Sequence, residues 1–384
     1  MDKLRVRVYN VRFGDAILVS VPDRSAGGEP QTRHILIDVG NVLSGEGGDD
    51  VVFRPVIENV LEVLDGRPLD LYVMTHEHLD HVQGLLHASH RLGLTLEVRH
   101  AWLTGSAAAE YYDTYPDARK RLLDYEDIKR LLQASPERET PWMHTMMLNN
   151  NPRSTAKCVE YLRNLADDTA YVYRGCDLDD KHPFREARFH IWAPEEDTSD
   201  YYGRFEPMAL GVTRGDDPDS EPTLTMPTPP SGVDAGAFYN LVESRRSGYV
   251  DNLLAIDRAA NNTSVVFCLE WRGWKLLFPG DAEHRSWKTM DKHDQLEPVH
   301  FLKASHHGSH TGLPRPDLLD KILPMPPPDD RRRRAVVSTY PDTYKDVPDK
   351  DLLDTELTPR CEVQYIEKGT VPDGGHLPDL EFEG

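Results

Sequence analysis

Residues 4–11 alternate apolar and polar side chains, the period-two pattern of a strand with one buried face. Two short apolar runs follow at 16–21 and 34–39, set off by Gly14-Asp15 and by Ser25-Ala26-Gly27-Gly28, and these predict two more strands. Residues 55–64 carry apolar side chains at helical spacing. Residues 69–75 read as a buried strand, and 82–92 as a helix. Residues 106–170 read as mostly helical, and 194–236, rich in Asp, Pro, Gly and Thr, as a long loop. Strand character returns at 264–271 and 274–278, which flank the hairpin-like turn Arg272-Gly273, and again at 299–304 and 335–339. Strands with interspersed helices at both ends predict one α/β domain, 1–384, built on two sheets, with a helical insertion at 106–170 and a Pro/Asp-rich loop insertion at 194–236.

Composition narrows the function classes. Hydrophobic residues make up 39% of the 384 and charged residues 28%, a globular balance that excludes a disordered chain. No apolar run approaches the ~20 residues of a membrane helix, and the N-terminus lacks the apolar core of a signal peptide, so a cytoplasmic protein without a membrane partner is expected. Cys158, Cys176, Cys268 and Cys361 are scattered, which argues against thiolate zinc and against a disulfide framework. A net charge of −21 argues against strong non-specific binding to duplex DNA. The partner expected is a phosphodiester or another small anionic substrate.

The chemistry concentrates in Thr75-His76-Glu77-His78-Leu79-Asp80-His81. Four potential ligands follow an apolar strand directly. Alternate residues His76 and His78 point to one side, and Asp80 and His81 turn toward a neighbouring position as a helix begins. Neutral imidazole suits zinc and related transition metals, and a carboxylate adds charge. Two distant segments offer more ligands at strand ends: Phe278-Pro279-Gly280-Asp281, and Ala304-Ser305-His306-His307-Gly308.

With H-x-H-x-D-H, a strand ending in Gly-Asp and a later His-Gly, the chain resembles the metallo-β-lactamase superfamily. It is most similar to the soluble hydrolase domain of ComEC-type competence proteins. Asn10-Val11-Arg12-Phe13-Gly14-Asp15-Ala16 looks like their D-V-G-Q-G-D-A, and Ile35-Leu36-Ile37-Asp38-Val39-Gly40 like their I-D-x-G strand. Asn261-Asn262-Thr263-Ser264 looks like their N-N-x-S, Phe278-Pro279-Gly280-Asp281-Ala282-Glu283 like L-T-G-D-A-E, and His306-His307-Gly308-Ser309 like H-H-G-S. The resemblance covers about residues 3–105 and 250–370, without the middle and without a membrane channel. It implies an αββα sandwich and two divalent metal ions, zinc or manganese. His76 and His78 would hold one metal. Asp80, His81 and a histidine of the 306–307 pair would hold the other, His307 being preferred because it precedes the glycine. Asp281 would bridge the two, and Asp38 would orient a ligand histidine. The superfamily's G-H-T-x-G-S histidine is replaced by Ala260-Asn261-Asn262-Thr263-Ser264. The first metal is therefore expected to be held more weakly, or completed by an outside histidine such as His144. A Y-G-H-P segment is likewise replaced by Tyr344-Lys345-Asp346-Val347-Pro348.

The expected activity is metal-dependent hydrolysis, with Asp80 and Asp281 indispensable, of phosphodiesters such as single-stranded ends, short oligonucleotides or cyclic nucleotides. A dinuclear site activates water between its metals and neutralises phosphate charge. Lys303, Ser305, Ser309 and Thr311 border the site in sequence and offer donors to an anion, although Lys303 equally fits a structural ion pair. Hydrolysis of a small lactone or thioester, or a non-catalytic regulatory role, are the competing readings. The Arg331–Arg334 run reads as a solvated charge run, and Trp271 and Trp274 as packing residues.

Overall fold

The alternation at the N-terminus puts Leu4, Val6 and Val8 on one face and Lys3, Arg5 and Arg7 on the other, and a computed structural model forms this strand as β1 (Lys3–Val8). The structure describes residues 2–43, 49–119, 129, 140–202, 249–340, 343–344 and 347–384, with scattered residues between 212 and 239. Next come β2 (Ala16–Arg24), β3 (Pro30–Val39), β4 (Leu69–Met74), β5 (Val98–Thr104) and β6 (Ala166–Val172), which lie side by side in that order with β1. Pairing is antiparallel from β1 to β3 and parallel from β3 to β6. Every residue of β4 is buried, as a central parallel strand covered on both faces requires.

The second sheet begins with β7 (Ala187–Ala193). Two short strands, β8 (Val212–Thr213) and β9 (Thr223–Leu224), pair only with each other among the described residues. The second sheet continues with β10 (Val266–Trp271), β11 (Trp274–Phe278), β12 (Phe301–Lys303), β13 (Arg334–Ser338) and β14 (Glu362–Ile366), in spatial order β14-β13-β12-β11-β10-β7. The β10–β11 hairpin turns at Arg272 (φ 47°) and Gly273 (φ 82°), two left-handed positions in the manner of a tight hairpin turn. The chain then returns as β15 (Leu380–Glu383), antiparallel to β1 at the edge of the first sheet.

The two sheets bury a common core. Leu4, Val19, Ile37, Val73 and Trp102 from the first meet Phe267, Trp271, Phe278, Phe301 and Val336 from the second. On the outer face of the first sheet lie the helices Asp49–Leu64, Leu79–His87 and Pro152–Arg163, which supply Val56, Leu85 and Leu162 to a second cluster. On the outer face of the second lie His284–Lys292 and Pro316–Ile322, through Trp287 and Leu319. The fold is thus α/β, with two mixed sheets and helices, an arrangement compatible with an αββα sandwich. Truncating Trp271 or Phe278 to alanine would cost about 3–5 kcal/mol, since each is fully enclosed between the sheets. No described helix is long and apolar enough to cross a membrane.

Some expectations hold and others need correction. The described residues of 106–170 are mostly helical, as expected, but not all of them stand apart from the two-sheet core. Pro152–Arg163 packs in the cluster under the first sheet and Ala166–Val172 is its edge strand, so this part belongs to the main layers. Within it, 120–128 and 130–139 lie outside the described residues, as do most of 194–236 and also Lys345 and Asp346. The arginine run serves the fold: Arg331 donates to the Gly273 carbonyl, Arg332 pairs with Glu362 at 2.6 Å, Arg333 donates to the Pro324 carbonyl at 2.7 Å, and Arg334 to that of Glu381 at 2.7 Å. As expected, both tryptophans pack: Trp271 is wholly buried, and Trp274 lies edge-on to Phe382.

Candidate metal centre

β4 delivers the chain to Thr75, and the helix Leu79–His87 takes it away; His76 and His78 lie in the loop between, Asp80 and His81 in the helix's first turn. Two glycines make room for this junction. A Cβ on Gly40 would stand 2.1 Å from the Asp80 carbonyl carbon and from the His81 nitrogen, and one on Gly14 would stand 2.6 Å from the Asp80 oxygen. Asp15 N donates to that same oxygen at 3.0 Å. The glycines of the two N-terminal motifs therefore serve close backbone approach to the His-Asp loop.

Asp38 sits at the end of β3 in a left-handed conformation (φ 51°). Its carboxylate accepts from Thr75 N at 2.8 Å, from Thr75 Oγ1 at 2.6 Å and from His81 Nδ1 at 2.8 Å. That fixes the His81 ring and leaves Nε2 facing Asp281 Oδ2 at 3.3 Å and Asp80 Oδ1 at 3.8 Å. His307 is set the same way, with Nδ1 3.1 Å from the Ser338 carbonyl and Nε2 3.4 Å from Asp80 Oδ2 and 3.5 Å from Asp281 Oδ2. Phe13 covers the His307 ring, with centroids 4.2 Å apart. One set of ligand atoms from Asp80, His81, Asp281 and His307 converges within 4.8 Å, and a second set from His76, His78 and Asp80 does likewise. Asp80, rather than the expected Asp281, is the carboxylate common to both sets.

All these side chains are buried, and five of their polar atoms face one another without forming a hydrogen bond. His76 Nε2, His81 Nε2, His307 Nε2, Asp80 Oδ1 and Asp281 Oδ1 have no hydrogen-bond partner. Imidazole nitrogens and carboxylate oxygens are a donor set for divalent transition ions, so each of these groups could hold a cation. The protonation tendencies agree. Burial, then the neighbouring His81 and His78, holds His76 well below the usual imidazole range, in its ligating neutral form. Burial alone would lower His81 as well, but Asp281, Asp80 and Asp38 outweigh it and raise it well above. For Asp281 burial acts upward, and the charges of His81 and His307 carry it well below the carboxylate range. A divalent ion would take the place of that proton.

The His306-His307-Gly308 run adopts three successive left-handed conformations, φ 48°, 54° and 76°. This aims adjacent histidines at different targets. His307 meets Asp80 and Asp281, whereas His306 joins Asp257 and Glu283, with Nδ1 3.5 Å from Glu283 Oε1 and 2.9 Å from Ser309 Oγ. A cavity of about 330 Å³ opens on that side, between Trp142, Met146, Tyr344, Asp257, Glu283 and His306.

Other expected contacts are placed elsewhere. Lys303 is buried and paired with Asp15 Oδ2 at 2.8 Å, and Ser305 donates to the carbonyls of Ala282 at 2.5 Å and Gly280 at 3.1 Å, so neither presents a donor to substrate. Ser309 accepts from Gly312 N at 3.0 Å and lines the cavity with Thr311. Asn262 Oδ1 accepts from Glu283 N at 3.2 Å and Ser286 N at 3.0 Å, holding the start of the helix His284–Lys292. His144 is exposed and belongs to no converging set. Sequence reasoning missed Asn149, whose Oδ1 accepts from Asp80 N at 3.1 Å, and Asn150, whose Oδ1 lies 2.8 Å from His78 Nε2. It also missed Asp257 and Glu283. The run Asn149-Asn150-Asn151 before Pro152 was the available signal, but it reads first as a helix cap, which Asn151 indeed is.

Compared with known proteins, the chain matches no family model and no curated protein.

Proposed function

We propose that this chain is a metal-dependent phosphodiesterase of the metallo-β-lactamase fold, an αββα sandwich similar to the hydrolase domain of ComEC-type proteins. The observation that carries the reading is a pair of buried groups that share Asp80, one of Asp80, His81, Asp281 and His307 and one of His76, His78 and Asp80, with five of their atoms lacking a hydrogen-bond partner. Two divalent cations held there would supply Lewis acidity, an activated water and neutralisation of phosphate charge. The protein's own part is preorganisation. Asp38 and the Ser338 carbonyl each fix one imidazole, and Thr75 fixes Asp38 in turn. Phe13 excludes bulk water from one side, which strengthens every charge interaction within. The net charge of −21 opposes long duplexes and favours short oligonucleotides or cyclic nucleotides.

Hydrolysis of a lactone or thioester is the second reading. It is favoured by the internal pairing of Lys303 and Ser305, which removes two anion donors, and by the apolar wall of Trp142 and Met146 beside the site. The test is metal analysis of the purified chain, followed by assays on bis-p-nitrophenyl phosphate, labelled DNA, RNA and cyclic dinucleotides, and a lactone panel, with manganese or zinc. Two ions per chain and phosphodiester cleavage that disappears in Asp80→Ala and Asp281→Ala are expected. Turnover of a lactone without any phosphodiester cleavage would move the assignment to the second reading.

A further inference from the structure

We propose that Asn261 Oδ1 is the ligand that completes the first metal site in place of the missing histidine, and that Asp257 is the positioning residue that sets both Asn261 and His78. The proposal rests on the metallohydrolase reading above.

Asn261 is wholly buried, and its Oδ1 has no hydrogen-bond partner. Its Nδ2, by contrast, is crowded with acceptors: Glu283 Oε1 at 2.8 Å, Asp257 Oδ2 at 3.3 Å and His306 Nε2 at 3.3 Å. Two carboxylates against the amide nitrogen decide which way the amide faces, because a flip would set its oxygen against both of them. The carbonyl end is therefore the one that turns away, and it does so without a donor, at a cost of about 1–3 kcal/mol that a cation would offset. The 261–264 turn lies against the metal loop. Val265 N donates to the Thr75 carbonyl at 2.9 Å, and Ser264 Oγ accepts from Asp281 N at 3.0 Å. Asn261 thus stands in the same turn where the resemblance places the absent histidine.

The other oxygen of Asp257 controls His78. Asp257 Oδ1 accepts from Asn150 Nδ2 at 2.7 Å, which leaves Asn150 Oδ1 to accept from His78 Nε2 at 2.8 Å. A proton held on Nε2 leaves Nδ1 as the free, ligating nitrogen. One carboxylate, from the helix Tyr249–Asn261, thereby orients two groups of the first site, one directly and one through Asn150. The resulting donor set is His76, His78, the amide oxygen of Asn261 and the shared Asp80. It has one imidazole fewer and one neutral oxygen more than a three-histidine site. Such a set binds more weakly and shifts preference from zinc toward oxygen-accepting ions such as manganese.

The experiment is to strip the full-length chain with chelator and titrate it with Mn(II) and, separately, with Zn(II), reading metal content and the Mn(II) electron paramagnetic resonance spectrum. Melting curves of the stripped proteins check folding. The wild type should take two ions, the second weaker, with a spin-coupled Mn(II) signal. Asn261→Ala should retain one ion at unchanged affinity and give an uncoupled spectrum. Asp257→Asn should weaken only the weaker site, by roughly 10–100-fold. Asn261→His should keep both ions and raise the zinc preference of the weaker site by roughly tenfold or more. Two ions bound at wild-type affinity in Asn261→Ala, or no gain for zinc in Asn261→His, would overturn the proposal. A wild type that binds no metal would instead overturn the metallohydrolase reading, and this assignment with it.

Discussion

Asp38 Oδ2 lies 2.8 Å from His81 Nδ1, and the same carboxylate accepts two hydrogen bonds from Thr75, so one side chain at the end of β3 fixes both the strand exit of β4 and the tautomer of a candidate ligand. Burial pushes the Asp38 carboxyl upward, and His81 with the Thr75 donors opposes that shift. Asp38→Asn keeps the volume but places an amide where a charge faced the imidazole. Metal affinity should fall roughly 10–100-fold, and the melting temperature of the stripped protein should fall as well, because the amide nitrogen faces a buried donor that the carboxylate accepted from. Competition with a fluorescent chelator measures the first quantity. Undiminished affinity would show that Asp38 serves only the Thr75 turn.

Gly40 bears on the same junction from the other side. A methyl group there would overlap the Asp80–His81 backbone at 2.1 Å, and backbone cannot yield as a flexible side chain can. Gly40→Ala should destabilise the chain by about 3 kcal/mol or more and remove metal binding, read by denaturant titration and metal analysis. A variant as stable as the wild type would mean that the β3 exit can move aside.

Much of this was legible in the sequence because the candidate ligands cluster locally. His76, His78, Asp80 and His81 share one strand-to-helix junction, and Asp281 and His307 each follow an apolar strand. β4 and β10 announce themselves as apolar runs. β6 does not, because Asp167, Asp168 and Thr169 belong to a sheet edge, where burial is partial and polar residues are tolerated. β15 has only four residues and is made a strand by pairing with β1, a long-range contact with no local pattern. Asn150 and Asp257 escaped notice for a similar reason. Their meaning lies in a 2.7 Å contact across 107 residues, and neither residue type signals metal chemistry alone.

His34 gives the fold a pH dependence separate from the buried His-Asp cluster. Burial, then the Arg67 guanidinium, lowers its pKa from 6.5 to about 4, with Asp70 opposing. The folded state disfavours the proton, so the stability this group allows is complete above pH 6.5 and is lost as pH falls from there toward 4. The loss amounts to about 3 kcal/mol at most. Urea titrations across that window should show wild type losing stability faster than His34→Gln. Parallel curves would assign acid sensitivity to other groups.

The buried pair of Lys303 and Asp15 separates a structural role from a substrate-binding one. Lys303 Nζ lies 2.8 Å from Asp15 Oδ2, Ser338 Oγ donates to Asp15 Oδ1, and Asp15 N holds the Asp80 carbonyl at 3.0 Å. Lys303→Met removes the cation and leaves a carboxylate in a dry interior, at a cost of about 3–5 kcal/mol. Adding Asp15→Asn removes the stranded charge and should recover part of that loss, so the two substitutions together should cost less than their separate sum. Because Lys303 presents no donor to the cavity, the folded fraction of Lys303→Met should keep its KM for bis-p-nitrophenyl phosphate within about twofold. Denaturant titrations of the wild type, both single variants and the double variant, with KM measured alongside, give the comparison. A KM raised tenfold at unchanged stability would mean that the amine reaches substrate, and that the pairing with Asp15 opens during turnover.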